Sequence, residues 1–210
     1  QISTEHAELH ETNRNQLLIA NFTDATPARP RLYPTPAQYQ KVAPYQTEPY
    51  ICLAPASVWF TKQFPMHQWV KLLEALPPNY SVYLLGAPGD RKLCEEIIRL
   101  AAVNTATNLC GLLNLLESAA LQGGAIMNYV NDSAPMHFAS AMNAPVTAIY
   151  CSTLPQFGFG PLSDNSYVVE TTETLSCRPC GLHGKMACPE KHFRCANSIN
   201  IQQLLNTLPQ

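Results

Sequence analysis

The sequence predicts an α/β, Rossmann-like domain: a parallel sheet with helices on both faces. Three observations carry this. Short, largely apolar runs at 50–54, 81–85, 125–130 and 146–150 have the length and composition of buried strands. The stretches between them place apolar residues at helical spacing, so strands and helices alternate as a doubly wound sheet requires. The stretch 125–142 shows one complete unit, in which an apolar run ends in Asn131-Asp132-Ser133, residues that favour helix N-caps. Pro135 then falls in the first helical turn, where its missing N–H costs little.

Residues 1–48 lack the apolar content of a self-sufficient domain. A short helix fits 10–20, and Pro27, Pro30, Pro34, Pro36, Pro44 and Pro49 then punctuate what reads as an extended connector. The predicted domain is 49–210. Its first strand, 50–54, leads into a loop, 55–65, and a helix over 66–76 that Pro77-Pro78 closes. The second strand turns through Gly86-Ala87-Pro88-Gly89-Asp90 into a helix that reaches Ala101. A third strand is expected near Asn108-Leu109, followed by a helix over 113–122. After the fourth and fifth strands, 166–170 suits a last strand and 199–208 a closing helix.

Composition limits the function classes. Charged residues make up only 13%, and 13 Lys+Arg against 15 Asp+Glu give a net charge of −2, which is no footprint for nucleic acid. No apolar run reaches the length of a membrane span, and the opening Gln1-Ile2-Ser3-Thr4-Glu5-His6 is not a signal peptide. With no Met at the start, the chain reads as a piece of a longer protein. A nucleophile-elbow serine, a Walker loop and a Gly-x-Gly-x-x-Gly fingerprint are all missing, which sets hydrolase, kinase and dinucleotide-reductase readings aside.

Strand-to-helix turns of a parallel sheet share one edge, and ligands bind in the crevice there. That edge gathers Ser57 and Lys62, the 86–90 turn, the 132–137 turn and the loop from Cys151 to Gly160-Pro161. One cation, two carboxylates, several hydroxyls and a helix N-terminus suit a nucleotide diphosphate. Lys62 would supply a point charge, the N–H groups of Ser133 and Ala134 and the Thr153 hydroxyl would donate, and Asp90 would take ribose or sugar hydroxyls. Against each stands a structural reading: Asp90 an N-cap, Lys62 a solvated lysine, His137 a satisfied histidine on the face it shares with Ser133. Trp59, Phe60 and Trp69 read as core or rim aromatics.

These stretches together resemble the ADP-heptose:lipopolysaccharide heptosyltransferases of glycosyltransferase family 9. Pro55-Ala56-Ser57-Val58-Trp59-Phe60-Thr61-Lys62-Gln63-Phe64-Pro65 is similar to the family's donor-site loop, and Leu85-Gly86-Ala87-Pro88-Gly89-Asp90 to its next turn. Asn131-Asp132-Ser133-Ala134-Pro135-Met136-His137 is similar to its Asp-Ser/Thr-Gly-x-x-His helix start, and Pro145 to Thr153 with Gly160-Pro161 to the loop that follows. The resemblance runs from about residue 50 to the end. It implies the C-terminal, donor-binding half of a GT-B glycosyltransferase that moves heptose from ADP-heptose to the lipopolysaccharide inner core with inversion and without a required metal. By similarity Lys62 is the catalytic group and, with Asp132, Ser133 and Ala134, neutralises the ADP leaving group. Ser57 would touch the phosphates and Asp90 the ribose, while His137 and Thr153 complete the pocket. Residues 1–48 then become an interdomain linker and remnant of an N-terminal half that would bind acceptor and could associate peripherally with a membrane; the resemblance implies an enzyme of the cytoplasm, working there or at the inner face of the inner membrane.

The eight cysteines divide in two. Cys52, Cys94, Cys110 and Cys151 are single and apolar in context, so buried thiols are expected. Cys177, Cys180, Cys188 and Cys195 cluster with His183 and His192, ligand types that suit a structural zinc, or else reduced thiols packing a loop. Three functions therefore stand at this stage. They are a glycosyltransferase half, for heptose or another donor; a non-catalytic nucleotide- or sugar-binding module; and an interaction protein with a zinc tail.

Overall fold

A computed structural model describes residues 6–24 and 26–209; Gln1 to Glu5 of the N-terminal connector, Ala25 and Gln210 lie outside the described residues. Strands β1 (Tyr50–Ala54), β2 (Ser81–Leu84), β3 (Ala106–Asn108), β4 (Met127–Asn131), β5 (Val146–Tyr150) and β6 (Ser166–Glu170) form one sheet in the order β3-β2-β1-β4-β5-β6. Every neighbouring pair runs parallel. Between them lie α3 (Met66–Ala75), α4 (Arg91–Ala101), α5 (Leu115–Gly123) and α6 (Ala134–Ala141). The closing helix expected over 199–208 is the shorter α8 (Ile201–Leu205), and one further short helix, α7 (Arg194–Asn197), precedes it.

All five positions of β1, β4 and β5 are buried. A strand covered on both faces takes apolar side chains in both parities, as β1 does throughout, while the buried Asn128, Asn131 and Thr147 of β4 and β5 are polar positions that hydrogen bonds satisfy in part. Ile51 and Leu53 join Trp69, Leu72 and Leu73 of α3, Cys94 and Ile97 of α4, and Leu204 of α8 on one face. Tyr50 and Cys52 point the other way, to Ala120 and Leu121 of α5. Val130, Val146 and Ala148 meet Met136 and Ala139 of α6. Each fully buried side chain of this size contributes about 1.5–3 kcal/mol of transfer free energy. Among the described residues no helix is long and apolar enough to cross a membrane.

The connector differs from an extended chain. Besides α1 (Glu11–Leu17), it holds α2 (Pro36–Val42), which the proline count obscured. Pro36 occupies the first turn of α2, where proline is tolerated, and the Gln38 side chain accepts a hydrogen bond from the Thr35 N–H at 2.7 Å. Val42 is fully buried beside Tyr50 and Leu121, so the connector packs onto the domain.

The single cysteines behave as expected, since Cys52, Cys94, Cys110 and Cys151 are all buried and unbridged. Burial pushes the Cys52 and Cys151 thiols well up from their ordinary range, so both stay neutral at pH 7.

Candidate active site

The chain order reverses between β1 and β4: β2 and β3 extend to one side, β5 and β6 to the other. A crevice at such a switch point is flanked by turns that lead away in opposite directions. Here the flanking turns are the loop after β1, which carries Lys62, and the turn after β4, which carries Asp132.

Three predicted residues meet there. The Lys62 ammonium lies 2.7 Å from Asp132 Oδ2, with the two side chains 16% and 7% exposed. Thr153, in the loop after β5, donates its hydroxyl to the same oxygen at 2.7 Å. Asp132 and Thr153 are buried, and an ion pair so placed persists only when its remaining lone pairs are satisfied, which the Thr153 bond does. The arrangement corrects one expectation. The Thr153 hydroxyl is committed to Asp132 instead of being offered to a ligand, so Thr153 fixes the carboxylate while Lys62 keeps two further donors for an anion.

Ser133 caps α6 in extended conformation without a side-chain capping bond; its hydroxyl reaches back to the Asn131 carbonyl at 3.4 Å. The Ser133 and Ala134 N–H groups belong to the first turn, whose donors an α-helix leaves without intrahelical partners. His137 is exposed one turn further on, its ring 6.5 Å from that of Phe159. Crowding by protein atoms lowers its pKa, with His10 and Lys62 adding to the effect and Asp132 opposing it. Ser57 sits on the same loop as Lys62, where its carbonyl accepts from the Gln63 side chain at 2.6 Å.

Asp90 does not join this cluster. Its carboxylate folds back to accept the Ala87 N–H at 2.8 Å, which closes the turn before α4. The structural role weighed for it in the sequence accounts for all its recorded bonds, although the role is a turn closure and not a capping bond onto α4.

Sequence reasoning took Asn131 for a capping residue and missed its work. Fully buried, it donates to the Pro55 carbonyl at 2.7 Å and accepts from the Phe64 N–H at 2.9 Å. It thus ties both ends of the Lys62 loop to β4. The signal in the sequence was an asparagine at the end of a largely apolar run, Met127 to Val130 with Asn128 within it.

The tail forms its own region. Cys177, Cys180, Cys188 and Cys195 line one cavity of about 380 Å³ with His192 and Lys185. The donor chemistry fits a soft divalent ion. Among the described residues, however, no three His, Cys, Asp or Glu side chains converge closely enough to hold one, and Cys177 Sγ stands 3.9 Å from His192 Nε2. Burial pushes the Cys195 thiol up to about 11, and neighbouring thiols add to it.

Comparison with known proteins follows the same lines as the geometry. The sequence profile of glycosyltransferase family 9 (heptosyltransferase) matches residues 2–192. Lipooligosaccharide heptosyltransferase 2 of Haemophilus influenzae is 34% identical over 116 residues, which are 53% of this chain and 33% of that protein. The chain therefore spans about a third of that curated relative. Among solved structures, E. coli ADP-heptose lps heptosyltransferase II aligns with a TM-score of 0.76 at 21% identity, covering 99% of this chain and 63% of the other. E. coli heptosyltransferase WaaC with ADP aligns at 0.65 and 17% identity, covering 96% and 57%. At those identities the structures show a shared fold.

Proposed function

Because this chain belongs to glycosyltransferase family 9, we propose that it is the donor-binding half of an inverting heptosyltransferase, and that its crevice holds the diphosphate of ADP-heptose. One observation carries the proposal: Lys62 is locked by Asp132 at the switch point, beside the first turn of α6. A lysine held this way presents its remaining N–H groups in a fixed direction, and the Ser133 and Ala134 N–H groups add helix-terminus donors. Displacement at the anomeric carbon builds charge on the departing diphosphate, and donors already in place stabilise that charge without reorganising. This is the sense in which Lys62 is catalytic. A structure of a family relative with ADP supports the ligand class.

A base on the acceptor hydroxyl and a groove for the lipopolysaccharide core belong to the rest of the enzyme in this reading, as does any association with the inner face of a membrane. The reaction takes place in the cytoplasm and needs no metal. The test pairs calorimetry with ADP and a transfer assay with ADP-heptose and inner-core acceptor. The 210-residue chain should bind ADP and transfer nothing. Transfer by this chain alone would sink the half-enzyme reading, and absence of ADP binding would sink the donor site. If the intact parent binds ADP yet turns nothing over, a non-catalytic nucleotide-binding module replaces the enzyme.

We also propose that the four tail thiols take one zinc ion with a structural role. That Cys177, Cys180, Cys188 and Cys195 line one cavity supports this, and zinc binding requires the thiols to close in from where they stand.

A further inference from the structure

The cysteine-rich tail does more than line its own cavity, because its backbone and one arginine grip both loops of the crevice. Arg178 is 10% exposed and sends Nε to the Cys151 carbonyl at 2.7 Å. Its terminal nitrogen reaches the Thr153 carbonyl at 2.9 Å and Glu170 Oε2 at 2.6 Å. A planar guanidinium can serve several acceptors at fixed angles, which a lysine cannot do. On the other flank, Thr61 exchanges two bonds with Lys185: its N–H donates to the Lys185 carbonyl at 3.1 Å, and its hydroxyl accepts the Lys185 N–H at 2.7 Å. The Ser152 hydroxyl also reaches the Thr61 hydroxyl at 2.9 Å, and the Cys180 N–H donates to the Ser152 carbonyl at 3.0 Å.

Gly184 brings the tail still closer. Its φ of +81° lies in the left-handed region, and a Cβ built there would stand 3.1 Å from Cγ of Lys62 and 3.2 Å from Cβ of Trp59. The tail backbone therefore lies along the stem of the lysine. Lys62 and Thr153 reach Asp132 from separate loops, and the tail joins those loops from outside.

We propose that residues 178–185 are positioning elements for the anion site, with Arg178 anchoring the Thr153 loop and the Thr61–Lys185 pair anchoring the Lys62 loop. The proposal rests on the donor-site reading of Lys62. Without the grip, the ion pair still forms but wanders, and affinity for diphosphate falls because the donors must be ordered on binding.

A double-mutant cycle on the 210-residue chain tests it, with ADP calorimetry and thermal unfolding on each variant. Arg178→Gln should weaken ADP binding by about tenfold, the scale seen when support behind a liganding group is lost. In a Lys62→Met background the same change should cost less than about twofold, because the group it positions is gone. Equal losses in both backgrounds, or no loss in either, would overturn the proposal. Thr61→Val serves as the second variant where Arg178→Gln does not fold, with the same expected pattern.

If Lys62→Met leaves ADP affinity unchanged, the donor reading fails, and acrylamide quenching of Trp59 then judges the clamp by itself. Trp59 is 36% exposed and Trp69 fully buried, so quenching reports on the loop. Quenching should rise in Arg178→Gln; an unchanged value overturns the clamp.

Discussion

The crevice between β1 and β4 and the cysteine cavity of the tail both gather polar, reactive side chains, yet they are built by opposite means. In the crevice, a strand end sets the centre: Asn131 closes β4, Asp132 follows it, and Lys62 lies in a loop that Asn131 ties at both ends. In the tail, residues 172–193 hold no helix or strand among the described residues, and the thiols face one cavity without converging. The difference teaches that the sheet pre-organises its site through strand register, while the tail needs something added to reach a single arrangement.

Removing the centre of the organised region should have the largest effect. Asp132→Ala leaves Lys62 largely buried and unpaired and deprives the Thr153 hydroxyl of its acceptor. Breaking one partner of a buried pair costs about 3 kcal/mol. For a chain of this size that is roughly 6–12 °C in thermal midpoint, measured by calorimetry. A shift of a degree or two would mean that the crevice is as loosely built as the tail.

Lys62→Met should come next: Asp132 keeps its Thr153 bond, so folding suffers less than in Asp132→Ala, and binding loses a donor as well. Loss of a charge-assisted contact costs about 1.5–3 kcal/mol, or roughly ten- to a hundredfold in ADP affinity. Unchanged affinity would remove the lysine from the site. The tail responds to a different addition. One zinc per chain, measured by elemental analysis after native purification, should protect Cys177, Cys180, Cys188 and Cys195 from alkylation, and affinity should fall with pH as protons compete for the thiolates. Purified protein without zinc, or with two stable disulfides, would defeat this.

The same contrast explains how much was legible in the sequence. The sheet was readable because strands buried on both faces favour largely apolar runs: β1 is one throughout, β5 departs only at Thr147, and β4 keeps Met127, Tyr129 and Val130 between its two asparagines. Helix α2 was not, since Pro36 at a first turn and Pro36 in a linker look alike until Gln38 and buried Val42 are set in space. Within the site, Lys62, Asp132 and Thr153 were found one by one, but their convergence on a single carboxylate oxygen depends on strand order. Asn131 and Arg178 escaped altogether. Apart from the Glu170 carboxylate beside Arg178, their partners are main-chain carbonyls and an amide far along the chain, and backbone groups leave no mark in a sequence.

The smallest expected effect probes whether the crevice acts as one electrostatic unit. Crowding lowers the pKa of His137 first, His10 and Lys62 lower it further, and Asp132 pulls the other way. A histidine whose folded value lies below its unfolded value of about 6.5 binds fewer protons when folded, so stability rises with pH across that interval and levels off above it. Acidification below about pH 6.5 should therefore cost stability, and His137→Gln should remove that part of the slope. Because His137 is exposed, solvent screens the effect, and the loss should stay under about 0.5 kcal/mol. The sharper measurement is a proton NMR titration of the His137 ring. In Lys62→Met its pKa should move up toward the ordinary value, since one repelling charge has gone and Asp132 stays. A titration that ignores Lys62 would mean that the ring feels only its own surroundings, and the shared electrostatics of the crevice would end at Asp132 and Thr153.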